Sequence, residues 1–147
     1  MLKDEDVSYA LGKGGSTRMK LETASGCITQ YVGNWCHFAG TKKERSRVKE
    51  YLQWLLAQRR GAVTVGDVSD RDDCTEIHVP RNCMGWITGN RGSELRRIEQ
   101  ETGTYLFVAM DKHGDERLLI FGCKAGSRTE PIGRMLAERM VGRDRRA

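Results

Sequence analysis

Two stretches of this 147-residue chain place glycines where a backbone can approach an anion: Gly12-Lys13-Gly14-Gly15 and Gly89-Asn90-Arg91-Gly92. Glycine has no Cβ to hold a phosphate away from the main-chain N–H groups, and it accepts the positive φ that a tight loop imposes. A Ser and a helix-forming run follow each loop, from Ser16 and from Ser93. Unpaired N–H groups and the positive end of a helix dipole then point at the same place. Lys13 and Arg91 add a full charge inside the loops, and neither loop carries a carboxylate to oppose it. A nucleotide-hydrolysing loop is a poor fit, because G-x-x-x-x-G-K-[ST] needs its Lys directly after the last glycine, whereas Lys13 precedes Gly14 and Gly15. No acid/base pair, nucleophile triad or metal cluster is assembled elsewhere. Cys27, Cys36, Cys74, Cys83 and Cys123 are scattered, odd in number and form no C-x-x-C pair, so they read as core thiols. His37 and His78 fall in strand-like runs and His113 in a polar loop. The expectation is a non-enzymatic protein with no catalytic residue, metal or cofactor.

The loops sit inside an internal repeat. Gly12, Gly15, Ser16, Glu22 and Gly26 recur 77 residues later as Gly89, Gly92, Ser93, Glu99 and Gly103, without a gap. A later landmark, Gly40 against Gly122, is offset by 82, the extra residues falling within 111–116. In the second copy, residues 75–79 alternate as a strand and Pro80 ends it. Asn82 is expected to cap a short helix through Thr88, and Ser93 a second helix that stops at Gly103. Strands over 105–110 and 117–121 follow, then a last helix over about 127–140. In the first copy, residues 16–25 are expected to be helical. Residues 28–32 and 35–39 form a hairpin across Gly33-Asn34. Thr41-x-x-Glu44 is a capping box opening a helix to about Arg60, with Val48, Tyr51, Leu52 and Leu55 as its buried stripe. Trp54 beside that stripe reads as core or interface.

The second copy runs Val79-Pro80, four residues, Gly85-Trp86-Ile87-Thr88-Gly89-Asn90-Arg91-Gly92, then Leu95, Ile98 and Thr102-Gly103. This resembles the type I KH domain, whose pattern is V-P-x4-G-x-I-I-G-x-x-G-x-x-I-x-x-I-x-x-x-T-G. The resemblance covers about 75–141 in the second copy and about 7–60 in the first. It implies an α+β chain of two KH folds, each β-α-α-β-β-α with three helices on one face of a three-stranded antiparallel sheet. The expected boundaries are a first domain at 1–61, a linker at 62–74, a second domain at 75–142 and a basic tail at 143–147. It also implies binding of single-stranded RNA, or single-stranded DNA, in a groove beside each loop. The candidate contacts are Gly12, Lys13, Gly14, Gly15, Arg18, Lys20 and Ile28 in the first copy. In the second they are Ile87, Gly89, Asn90, Arg91, Gly92, Leu95 and Arg96, with Ile87 and Leu95 as an apolar floor for the bases.

The first copy departs from the pattern. Leu95 is matched by Arg18, Ile87 by Ala10 and Gly85 by Ser8. Arg18 either contacts phosphate or a base edge, or packs its stem with its head in water. The strand at 75–79 also has almost no counterpart, since Met1 aligns with His78. An edge left unpaired is an aggregation hazard. The leading explanation is a fragment or truncated domain. The second is that residues 62–65 substitute for the strand; the third is that a second molecule supplies the pairing. A protein partner or homodimer through that edge is therefore an expectation beside nucleic acid, and a protein-assembly module built on degenerate KH folds is the alternative function.

Composition fits a polyanion partner and a solvated helix face equally, since Lys42, Lys43, Arg45, Arg47 and Lys49 crowd one expected helix. The chain is 31% charged, and its net charge of +5 lies wholly in residues 1–61, which hold eleven Lys/Arg against six Asp/Glu. That half is the one expected to attract a polyanion more strongly. The N-terminus is acidic and lacks the apolar core of a signal peptide, and no run approaches membrane-spanning length, so the chain reads as intracellular.

Overall fold

The computed structural model of the chain describes residues 1–88, 92–123 and 128. It divides into two units, Met1–Val63 and Thr64–Ala147. In the first, α1 (Asp4–Leu11) opens with Asp4, Glu5 and Asp6, which suit the positive end of a helix, and ends at Gly12. A 3-10 turn (Lys13–Gly15) leads into α2 (Ser16–Ser25), which Gly26 stops with a left-handed backbone at φ 76°. The hairpin of β1 (Ile28–Val32) and β2 (Trp35–Ala39) pairs Val32 with Trp35 and Ile28 with Ala39 around Gly33-Asn34. The capping box of Thr41 and Glu44 then starts α3 (Lys42–Gln58), whose buried residues are the expected Val48, Tyr51, Leu52 and Leu55. These close on Ala10, Leu21, Ala24 and Cys27 to make the core. Trp54 stacks on Tyr51 at 6.2 Å between ring centroids. Asp6, 4% exposed, ties α1 to the end of α3 by accepting from Arg59 at 3.1 Å and Arg60 at 3.4 Å.

As far as the described residues go, the second unit repeats this order through its second hairpin strand, with a further strand in front. Its elements are β3 (Cys74–Ile77), α4 (Arg81–Thr88), α5 (Ser93–Thr102), β4 (Tyr105–Met110) and β5 (Glu116–Phe121). Shifted by 77, α4 and α5 fall on the residue limits of α1 and α2. The sheet is antiparallel in the order β3-β5-β4. Its helix-facing side packs Leu106, Leu118 and Ile120 against Val79, Met84, Leu95 and Ile98. Asn82 lies within α4 rather than capping it, because the helix begins at Arg81 directly after Pro80. The helix expected over 127–140 and the basic tail at 143–147 lie outside the described residues.

Residues 64–73, expected within a linker, fold onto the second unit instead. Thr64 forms a parallel bridge to Met110 at the free edge of β4, and the Val65 N–H donates to the Met110 carbonyl at 2.9 Å. Residues 62–65 therefore add no strand to the first unit's sheet, and Thr64 and Val65 strap the second. The buried Arg117 holds the strap by donating to the Val65 and Gly66 carbonyls at 2.9 and 2.6 Å. Arg71 grips the buried carboxylate of Asp73 with two bonds of 2.8 Å and lies 5.5 Å over the ring of Phe121. The need for a strap follows from the sheet's other face. Tyr105, Phe107 and Phe121 cluster there with centroids 5.0 to 6.2 Å apart, and all three are buried. Aromatic rings left in water forfeit the main driving force of folding.

Val65→Asp buries a carboxylate where the strap meets β4. It should destabilise the second unit by roughly 2–4 kcal/mol and expose the Val65 amide to hydrogen exchange. Ala62→Asp, at an exposed position just before it, should leave both the urea midpoint and that amide unchanged.

Candidate nucleic-acid interface

The interface is built where α1 hands the chain to α2. Gly12 (φ 75°), Gly14 (φ 63°) and Gly15 (φ 78°) all lie in the positive-φ region. Gly12 is a packing glycine: a Cβ there would sit 2.3 Å from the Thr17 hydroxyl and 2.7 Å from the Thr17 main-chain nitrogen. Gly14 and Gly15 have nothing within 4 Å of that position, so their faces are open to a ligand. Gly15, not Ser16, is the N-cap of α2; it offers no side-chain cap, and the first turn contains no acidic residue. The Gly15 and Ser16 N–H groups already donate to the Gly12 and Lys13 carbonyls, so what this end offers an anion is the positive end of the helix dipole, with the exposed Lys13 beside it. Lys20, further along α2, is only half-exposed.

The matching end of α5 differs. Gly92 (φ 73°) is its N-cap, displacing the expected Ser93 cap, and again no side chain caps it. Glu94 enters the first turn and accepts from Arg97 at 3.1 Å. Gly89, Asn90 and Arg91 lie outside the described residues, as does the side chain of Ile87. Leu95 is 8% exposed and belongs to the core cluster, so it supports the groove from behind rather than presenting a floor. Arg96 is exposed.

Arg18 is engaged within the unit. Its Nη1 donates to Glu22 Oε2 at 2.7 Å and to the Thr29 carbonyl at 2.9 Å, and Glu22 Oε2 accepts from the Thr29 N–H at 3.3 Å. It is a clamp between α2 and β1. The second unit keeps half of this device, since Glu99 accepts from the Leu106 N–H at 3.3 Å. The repeated Glu22/Glu99 landmark thereby acquires a function that spacing did not show: it fixes the strand that follows the helix. Ile28 is 63% exposed and lies on the sheet face away from the helices, while Thr29 and Tyr31 face inward. Tyr31 carries no signal in the repeat, because its counterpart is Val108. Its hydroxyl is buried with no hydrogen-bond partner among the described residues, and burial pushes its pKa up to about 12, the Cys36 thiol adding to the effect and Arg18 opposing it.

Burial pushes the Cys74 thiol up to about 12, helped by Asp73, and moves Cys27 and Cys36 in the same direction. These thiols therefore hold their protons at neutral pH and are poor nucleophiles and metal ligands. Among the described residues no helix is long and apolar enough to cross a membrane.

Against this geometry, residues 74–129 match the family model of the KH domain, and that stretch of the chain is a KH domain. The match begins at β3 and runs through β5.

Gly12→Ala should cost more than Gly14→Ala, because only the first drives a Cβ into Thr17. The expected penalties are about 2–3 kcal/mol against about 1–2 kcal/mol for a left-handed backbone alone, read from urea midpoints.

Proposed function

We propose that the chain binds single-stranded RNA without catalysis, both Gly-x-x-Gly loops gripping phosphates while unpaired bases lie in the adjoining grooves. The KH domain indicates a nucleic-acid partner. The observation that supports two loops rather than one is the junction at Gly12–Gly15, which repeats the left-handed glycine, the uncapped helix start and the element limits of the second unit. A KH loop clamps a few backbone nucleotides and reads the base edges that an unpaired RNA strand exposes. The first unit supplies most of the attraction through Lys13 and its excess of cations.

The double variant K13D/G14D reverses the charge in the first loop, and Asp tolerates the left-handed conformation at Gly14 better than most residues. It should abolish binding by the first unit with little change in thermal midpoint, and N90D/R91D should do the same for the second. Fluorescence titration of the full chain against mixed-sequence RNA reads both, and undiminished affinity in the quadruple variant would remove the assignment. Wild-type affinity should fall with added salt, the log–log slope steepening by about 0.7 for each phosphate that the protein neutralises.

A second reading, that the first unit is an assembly module on a degenerate KH fold, is favoured by its two-stranded sheet. Light scattering beside the titration separates the two, since assembly without RNA affinity would support only this one.

A further inference from the structure

Arg18 is held in the first unit by one of its three side-chain nitrogens. The two N–H groups of Nη1 each have an acceptor, Glu22 Oε2 at 2.7 Å and the Thr29 carbonyl at 2.9 Å. Nε and Nη2 donate to nothing among the described residues. The side chain is 25% exposed, and neither nitrogen is sealed in the interior as the unpartnered Tyr31 hydroxyl is. Their N–H groups lie side by side in the guanidinium plane, a fork that donates to two neighbouring acceptors at once. With one anchor on α2 and another on β1, that plane is fixed before a ligand arrives. Little side-chain freedom then remains to be lost on binding. The fork stands one helical turn beyond Gly15, about 5 Å along α2. A nucleotide whose phosphate rests at the open faces of Gly14 and Gly15 can lay its base beside α2 at a similar distance. Glu22 decides what the fork attracts. Its carboxylate, 2.7 Å away, cancels the guanidinium charge, so the pair offers directed donors with little net charge. A further phosphate gains little from such a pair, whereas a neutral base edge needs only the donors.

We propose that Arg18 selects, for the groove of the first unit, a base that presents two neighbouring acceptors on one edge. Guanine does so with O6 and N7, and cytosine with O2 and N3. Adenine sets an amino group beside both N7 and N1, and uracil sets an N–H between its carbonyls, so each turns a donor or a single acceptor toward the fork. The proposal rests on RNA binding at the first loop. It belongs to that unit alone, because in the second the corresponding residue is Leu95, which is part of the core.

Fluorescence titration of the full chain carrying N90D/R91D, which silences the second loop, tests this with uridine octamers whose central base is A, C, G or U. The G oligomer, the C oligomer or both should bind roughly ten- to a hundredfold tighter than the A and U oligomers. The two arms rank the bases, and 7-deazaguanine, which lacks N7, should remove any gain due to guanine. In the same background Arg18→Lys keeps the charge and a donor for Glu22 but has no fork. It should bring the four affinities together, with the fold intact by circular dichroism. A purely structural role, or a contact to phosphate, would move all four affinities equally and keep their ratio. Equal affinity for all four oligomers before that substitution, a preference for A or U, or a G or C preference that survives in Arg18→Lys would overturn the proposal and leave RNA binding standing. No binding to any oligomer would remove the RNA reading of the first unit and this proposal with it.

Discussion

The structure turns on a steric constraint at the junction of the first two helices. Between Leu11 and Ser16 the chain must reverse with its backbone in positive-φ conformations, and at Gly12 it must do so with the Thr17 nitrogen 2.7 Å from where a Cβ would stand. Only glycine meets both demands. Because the turn is that close, the start of α2 is held against the end of α1, and the positive end of its dipole emerges beside Lys13 with no side chain to cap it. The Glu22 carboxylate passes this placement on to the sheet by holding the Thr29 N–H, as Glu99 does for Leu106. Loop, helix end and strand are thus one positioned assembly in the first unit, and α5 and β4 are joined in the same way in the second.

Around that shared frame the two units use their side chains differently. The second clads both faces of its sheet, with helices on one side and the 64–73 strap held by Arg117 on the other. The first exposes Ile28, Val32 and Trp35 on its outer face among the described residues, and puts a polar clamp, Arg18–Glu22, where the second buries Leu95. In the function proposed above, grip on a polyanion in the first unit would rest chiefly on Lys13 and the helix end, since Arg18 Nη1 is engaged within the unit. In the second unit Leu95 belongs to the core beneath the helices.

Much of this is legible in the residues. The helix limits of α2, the hairpin register and the stripe of α3 follow from Gly26, Gly33-Asn34 and the Thr41/Glu44 box, which are local signals with local physics. The strap is harder to foresee, although a signal is present: β4 and β5 read Tyr-Leu-Phe-Val-Ala-Met and Arg-Leu-Leu-Ile-Phe, nearly continuous apolar runs that mark a strand buried on both faces. By contrast β1, Ile-Thr-Gln-Tyr-Val, does not pack both faces. The clamp role of Arg18 is hidden because its partners are set by folding: Glu22 is one turn away, but the Thr29 carbonyl reaches it only once β1 lies against α2. Hydrophobicity makes Ile28 look like a groove residue, whereas the alternation that buries Thr29 sets it on the outer face.

If the glycine junctions at the starts of α2 and α5 are where nucleic acid is held, their amides must respond first when it is added. Amide chemical-shift mapping of the full chain, titrated with a short mixed-sequence single-stranded RNA, reads this residue by residue. The largest shifts should fall at Gly12–Arg18 and at Gly92–Leu95, weakening as salt is added. Shifts confined to α3 or to the β1–β2 hairpin, or none at saturating RNA, would contradict the placement.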